Sequence, residues 1–392
     1  MFYNLIKSTF TGKLIWSGKI INIISILLLQ FISFLFILKY SVRFSHSFFL
    51  SIVIAVIYCA IITTLLLKID VINFINLQFL NKKSYLFFSL FITLLFVIIV
   101  NVVPESSQVG RLPAIKGWLS NLLAGKYPYN SRSNPSGFPF LFFIALPFYL
   151  INNLGYLEVL GYLLFSFTIL TYTDSIKDIF IQTYILLTLP MFFYEIIVRS
   201  ELFLNITLTI YLIIITKKYL LRNNIDIPFI LISILCGFLL STRLVIGIVL
   251  AIFAIYLFRG HFKVLIAFAV ICGLSFASTL IPFIIWDKDY FVAKGPFSIQ
   301  FLYLPKFIII AVPFFILYFS YYLKNFNEII FYNGIVLFLL VFISFISHCI
   351  TFGLYASIFQ RPYFDISYFI FPVPFLILSV STPFFNYRNN YL

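Results

Sequence analysis

Residues 20–38 read IINIISILLLQFISFLFIL, nineteen positions without a charge. Crossing the hydrocarbon core of a bilayer takes about 20 predominantly apolar helical residues, because an α-helix rises about 1.5 Å per residue. The run has that length. It shows no alternation of period two, so it reads as a membrane-crossing helix and not as a barrel strand. The same signal recurs at roughly 48–67, 85–103, 138–172, 179–197, 202–216, 227–241, 244–258, 264–285, 305–322, 329–350 and 366–382. The predicted fold class is therefore all-α: a polytopic helical membrane protein with about twelve or thirteen membrane segments. It reads as one integral membrane domain in which N-terminal spans (1–103) and later spans (138–392) flank a long polar loop (104–137).

Composition excludes the alternatives. Of 392 residues, 63% are hydrophobic and 10% charged, against about 45–50% and about 25% in soluble domains. So few charges cannot cover a water-facing surface, and so much apolar surface cannot stay solvated in a disordered chain. The net charge of +14 comes from 26 Lys and Arg against 12 Asp and Glu. In a membrane protein such an excess gathers in cytoplasmic loops and meets anionic lipid, so no nucleic-acid partner is implied. Cys59, Cys236, Cys272 and Cys349 lie in apolar runs without zinc-site spacing, and His46, His261 and His348 are far apart. No cofactor is indicated, and a divalent metal is compatible with the pattern without being required by it. Lys7, Lys13 and Lys19 precede a run that lacks a small-residue cleavage site, which predicts a first anchor and no cleavable signal.

Basic residues also set the expected orientation. Lys7, Lys13 and Lys19 place the N-terminus in the cytoplasm of a plasma (inner) membrane, and Lys68, Lys82 and Lys83 return there after two spans. A third span carries 104–137 to the outer face. Lys217, Lys218, Arg222, Arg259, Lys263, Lys324 and Arg388 then lie inside if 199–201, 286–294 and the segment around Arg361 lie outside. Parity conflicts at 138–172, which is long enough for two spans split at Asn152-Asn153. One full crossing plus a half-length or re-entrant piece, with Pro139 and Pro147 breaking it, resolves the conflict.

Acidic residues are few enough to take singly. Asp70, Asp174, Asp178, Asp226 and Glu328 read as solvated loop charges, and Glu158 falls in the disputed hairpin. Glu105, Glu195, Glu201, Asp287, Asp289 and Asp365 all fall on or near the outer face. Glu195 and Arg199 are four apart, so on a continuous helix they share a face. They form either a self-neutralising ion pair or part of a polar cavity. Arg243, at the outer end of another run, either snorkels to headgroups or holds a phosphate in its planar fork.

The loop 104–137 carries most of the functional signal. Ile115, Trp118, Leu119, Leu122 and Leu123 recur at helical spacing, opposite Lys116, Ser120 and Asn121. This predicts a short interfacial helix over 115–124 with Trp118 at headgroup depth, ended by Gly125. A Pro-, Gly- and Ser-rich stretch from Pro128 to Pro139 follows as a structured turn.

The order of these pieces resembles the GT-C superfamily of membrane glycosyltransferases. Glu105 stands in the acidic position past a span, 115–124 in the interfacial helix, Gly125-Lys-Tyr-Pro128-Tyr129 in the Gly-x-x-Pro-Tyr turn, and 135–139 in the Pro-rich approach to the next span. The stretches 190–205 and 282–300 are similar to later parts of the family. Two departures are present: Glu105-Ser-Ser where the family usually has Asp, and two preceding spans where it has one or none. The resemblance implies inverting transfer of a sugar from a polyprenyl-phosphate donor to a glycan or lipid-linked acceptor, with membrane lipid as surroundings. It implies Glu105 as catalytic base. Its substrate-binding set is Arg111, Tyr129, Arg199, Glu201, Arg243, Asp287 and Arg361, with Arg199, Arg243 or Arg361 on the phosphate. Other classes compete: a transporter or flippase for a lipid-linked or anionic solute, a polysaccharide polymerase, and a non-catalytic scaffold.

Overall fold

The computed structural model describes residues 18–68, 81–105, 110–133, 135–219, 225–300, 305–360 and 363–381. Among them every regular element is helical. Eighteen α-helices follow in chain order: α1 Gly18–Ser45, α2 Phe48–Lys68, α3 Lys82–Val102, α4 Arg111–Leu123, α5 Pro139–Leu150, α6 Tyr156–Tyr172, α7 Ile176–Leu187, α8 Pro190–Ile197, α9 Leu202–Tyr219, α10 Ile227–Leu240, α11 Val245–Leu257, α12 Phe262–Trp286, α13 Lys288–Lys294, α14 Pro296–Gln300, α15 Lys306–Tyr322, α16 Phe326–Phe352, α17 Leu354–Phe359 and α18 Val373–Ser379. A 3₁₀ turn, Ile366–Ile370, precedes α18.

Five of these helices, α1, α2, α3, α12 and α16, hold stretches long and apolar enough to cross a membrane, and α7 and α8, bent by 64° at their junction, count as a sixth if the pair is one broken span. The chain is a helical membrane protein. Most other expected segments are apolar helices of 10–17 residues, shorter than a lone span. The disputed 138–172 is two helices. Asn153 N–H donates to the Phe148 carbonyl (3.0 Å) and Asn152 N–H to Tyr149 (2.9 Å), while Asn152 takes the left-handed conformation at φ 58°. That is a Schellman end with Asn in the usual Gly place. The expected span 179–197 is likewise broken, because Pro190 supplies no N–H to continue α7.

Backbone packing divides the chain, read from the sequence as one domain, into two compact units, each discontinuous in sequence. The first comprises Met1–Tyr85, Thr173–Met191 and Pro305–Leu392. There α1 packs on α2, and α16 packs on α17 and α18. The end of α18 has carbonyls with no helical partner, and side-chain amides supply the donors. Gln182 donates to the Val380 carbonyl (2.9 Å), and Asn22 exchanges two bonds with Ser381, at 2.7 and 3.1 Å. Glu328 and Asn325 form a reciprocal cap at the start of α16 (Glu328 N–H to Asn325 Oδ1, 2.9 Å). Glu328 and Asp178 are buried, so neither is the solvated loop charge that its place in the sequence suggests.

The second unit comprises Leu86–Tyr172 and Phe192–Leu304. Small residues let its helices approach closely. A Cβ on Gly161 of α6 would stand 3.1 Å from the Leu204 backbone of α9, and one on Gly237 of α10 would stand 2.4 Å from the Cys272 carbonyl of α12. Helix α4 begins at Arg111 and ends at Gly125 (φ 67°) in a second Schellman end, Lys126 N–H to Asn121 (2.8 Å) and Gly125 N–H to Leu122 (3.0 Å). Its Trp118 is covered by protein and not open to headgroups. The indole is fully buried, stacked on Phe142 at 4.2 Å and 8°, with Tyr129 edge-on at 5.9 Å and Phe283 tilted at 5.4 Å. The apolar side of α4 thus faces protein, which fixes the loop on the second unit.

Trp118→Ala removes a buried aromatic of this size and is expected to cost about 3–5 kcal/mol. Thermal unfolding of the detergent-solubilised chain measures it, and an unchanged transition would show that the stack does not hold α4.

Candidate functional site

The centre of the site is the turn between α8 and α9. Ser200 N–H donates to the Glu195 carbonyl (3.1 Å) and Arg199 N–H to Ile196 (3.2 Å), with Arg199 left-handed at φ 53°. This is a Schellman end whose Gly position holds Arg. A side chain there costs roughly 1–2 kcal/mol relative to Gly. The consequence for the site is direct. The continuous helix that was to put Glu195 and Arg199 on one face stops at Ile197, and the two residues take different partners.

Arg199 is buried and reaches the end of α3. Its Nη2 donates to the Val100 (2.6 Å) and Val103 (2.8 Å) carbonyls, and its Nη1 pairs with Glu105 Oε1. A cation on the last carbonyls of a helix suits the negative end of the helix dipole. The other carboxylate oxygen of Glu105 pairs with Lys116 of α4. Glu105 is therefore gripped at both oxygens, by one cation from the α8–α9 turn and one from α4. Glu195 is buried and meets Arg111 at 3.4 Å, and Arg111 also donates to Ser200 Oγ at 3.2 Å.

The third pair lies at the start of α9. Glu201 directly precedes that helix, and its carboxylate pairs with Nη2 of Arg243. Arg243 Nη1 donates to Ser136 Oγ (2.7 Å), Gln300 donates to the Ser136 carbonyl (2.7 Å), and Leu244 N–H donates to Gln300 Oε1 (2.9 Å). The Pro-rich approach to α5 is thereby tied to the turn before α11. Glu158, buried on α6, accepts from Phe203 N–H in the first turn of α9 (3.3 Å), where the helix dipole favours a carboxylate. Oε2 of Glu158, Oε2 of Glu201, Nδ2 of Asn205, and Nε of Arg199 and Arg243 have no protein partner among the described residues. Donors and acceptors of this kind in one buried network are the pattern that internal water bridges.

The predicted residues divide accordingly. Glu105, Arg111, Arg199, Glu201 and Arg243 belong to the network of ion pairs. Tyr129 is fully buried beneath it in the aromatic core, its hydroxyl donating to the Gly137 carbonyl (3.1 Å), and burial pushes its phenol well up from the ordinary value. That is a packing role, not contact with a substrate. Asp287 caps α13, accepting from Tyr290 N–H at 2.9 Å. Arg361 lies outside the described residues. Sequence reasoning passed over Lys116, assigned only to a polar helix side, and Glu158. The signal for Glu158 was there: a carboxylate inside an apolar stretch needs a buried donor.

Buried guanidinium groups with both Nη atoms engaged are fixed in place. Arg199 and Arg243 thus act as clamps on Glu105, Glu201 and backbone carbonyls. The members of the network with open surface are Glu105, whose side chain is 32% exposed, with Lys116 beside it and, less so, Arg111. Among the described residues no group of three or more His, Cys, Asp and Glu is arranged to hold a metal ion. The chain matches no family model, no curated protein and no solved structure.

Arg199→Gly and Arg199→Ala both remove the guanidinium, but only Gly relieves the left-handed backbone. The glycine variant is expected to be the more stable of the two by about 1 kcal/mol, the reverse of the order inside a helix. Unfolding of both variants in the same detergent measures this, and an alanine variant of equal or greater stability would contradict the strained turn.

Proposed function

We propose that the chain is a glycosyltransferase of GT-C type, moving a sugar from a polyprenyl-phosphate donor to an acceptor hydroxyl at the extracytoplasmic face of the plasma membrane, with the N-terminus in the cytoplasm. One observation carries the reading. Of the four carboxylates in the network, Glu158, Glu195 and Glu201 are buried, and Glu105 alone is open to solvent while held at both oxygens. A base for an incoming hydroxyl has to be reachable and fixed in direction at once.

In this mechanism the acceptor oxygen attacks the anomeric carbon and passes its proton to Glu105. The bond from that carbon to the phosphate oxygen breaks, and the lipid phosphate leaves with the electron pair. Attack opposite the leaving group inverts the anomeric centre. Lys116 and Arg111, both on α4 and both with some open surface, are the cations that meet the phosphate and its developing charge. Arg199 acts through Glu105 as a positioning residue, because its Nη1 holds the carboxylate while its Nη2 is spent on the end of α3. The phosphate role that the family pattern gives to Arg199 or Arg243 passes in this reading to the α4 cations.

Glu105→Gln keeps the size of the side chain and removes the base. It is expected to lower sugar transfer at least about 100-fold in membranes supplied with a polyprenyl-phosphate sugar, with abundance and unfolding temperature near wild type. Wild-type transfer by that variant would remove Glu105 from the chemistry.

A further inference from the structure

In the second unit, the end of α12 meets the turn after α4 in a corner built of three aromatic rings. The Tyr127 ring stands 5.7 Å from Trp286 at 89° and 5.5 Å from Tyr290 at 70°. Trp286 is 45% exposed, and Tyr127 and Tyr290 are half-buried. Hydrogen bonds anchor the two tyrosines. Tyr127 donates to the Phe283 carbonyl (3.3 Å) and Tyr290 to Asn130 Oδ1 (2.8 Å). Asp287 Oδ1 accepts from Tyr290 N–H and so sets the turn between the rings. Burial, with Asp287 nearby, pushes the Tyr127 phenol up, so it remains a donor.

The rim of this corner is polar and carries charges of both signs. Asp287 and Asp289 share one short segment with Lys288 and Lys294, Lys126 stands on the turn beside Tyr127, and Lys294 sits 5.4 Å from the centre of the Tyr290 ring. A net positive rim would suit phosphate, and a net negative one would suit a quaternary ammonium in an aromatic cage. A rim of mixed sign, with no guanidinium in the ring contacts, is built for neither. The exposed Asn130 has its carbonyl oxygen taken by Tyr290, which leaves its amide hydrogens for a ligand.

From this geometry we infer that the Tyr127–Trp286–Tyr290 corner binds a neutral pyranose ring of a saccharide. The match is chemical. One face of a pyranose is a flat patch of C–H bonds that packs on an aromatic ring, and its edge carries hydroxyls for a fixed amide and a carboxylate. Rings near right angles offer a wall and a floor, Asn130 donates, and Asp287 accepts. On the glycosyltransferase reading, on which this step rests, the bound ring belongs to the acceptor glycan. An interfacial belt tryptophan would instead lie among lipid headgroups.

The test titrates the full-length, detergent-purified chain with maltotetraose and with cellotetraose, read by calorimetry and by tryptophan emission. Saturable binding of at least one oligosaccharide is expected, weakened about tenfold or more in Trp286→Ala. Trp286→Phe, which keeps a smaller ring, is expected to fall between the two and guards against a folding defect in the alanine variant. No saturable binding to wild type, or equal binding by wild type and Trp286→Ala, overturns the proposal. So does quenching of Trp286 by brominated lipid that neither sugar relieves. Transfer activity separates the two readings. Trp286-dependent binding in a chain that transfers no sugar keeps this site and removes the enzyme, whereas transfer without such binding does the reverse.

Discussion

A carboxylate or guanidinium taken out of water needs an opposite charge and hydrogen-bond partners, because the desolvation it suffers exceeds what a lone contact returns. The second unit is arranged around that requirement. Glu195, Glu201, Arg199 and Arg243 are all buried, and each finds an ionic partner on a different element. The start of α9, the end of α3, helix α4 and the turn before α11 are thereby joined at points where the helices expose free carbonyls and N–H groups. Such pairs are poor evidence of stability in themselves, since apolar side chains of similar volume often serve as well. What they supply is direction: each charged group is constrained by a second element, and Glu105 by two.

Backbone and side chain act together at Arg199. The left-handed residue ends α8 and lets the chain turn into α9, while the guanidinium attached to it binds the last carbonyls of α3. Strain at one position is held in place by three hydrogen bonds from that same position. Local strain of this kind tends to sit where geometry matters, and here it lies next to the one carboxylate of the network with open surface.

Much of this was legible from the residues. The long helices α1, α2, α3, α12 and α16 fall where hydropathy puts them, since length and apolarity alone specify a span. The break at Asn152-Asn153 and the stop at Gly125 were visible because Asn and Gly tolerate positive φ. The stop at Arg199 was not, because nothing about an arginine announces that conformation, and a spacing of four then suggested the wrong pair. Trp118 was misread for a related reason. An amphipathic helix tells which face is apolar without telling whether lipid or protein covers it, and Phe142 and Phe283 lie far off in sequence. Lys116 was hidden too, since its partner Glu105 lies outside the helix that carries it.

The pairing of Asn22 with Ser381 joins residues 359 positions apart in sequence. A chain made from its N-terminus inserts α1 long before Ser381 exists. Until Ser381 is made, the amide of Asn22 must therefore rely on temporary partners such as water, lipid headgroups or a helper protein. The first unit, stitched from three separate segments, can close only after residues 305–381 have been made. The second draws on 86–304 and has its parts available well before then. Biogenesis thus has a built-in sequence of events, with the unit that carries the charge network complete while the other still waits for residues 305–381.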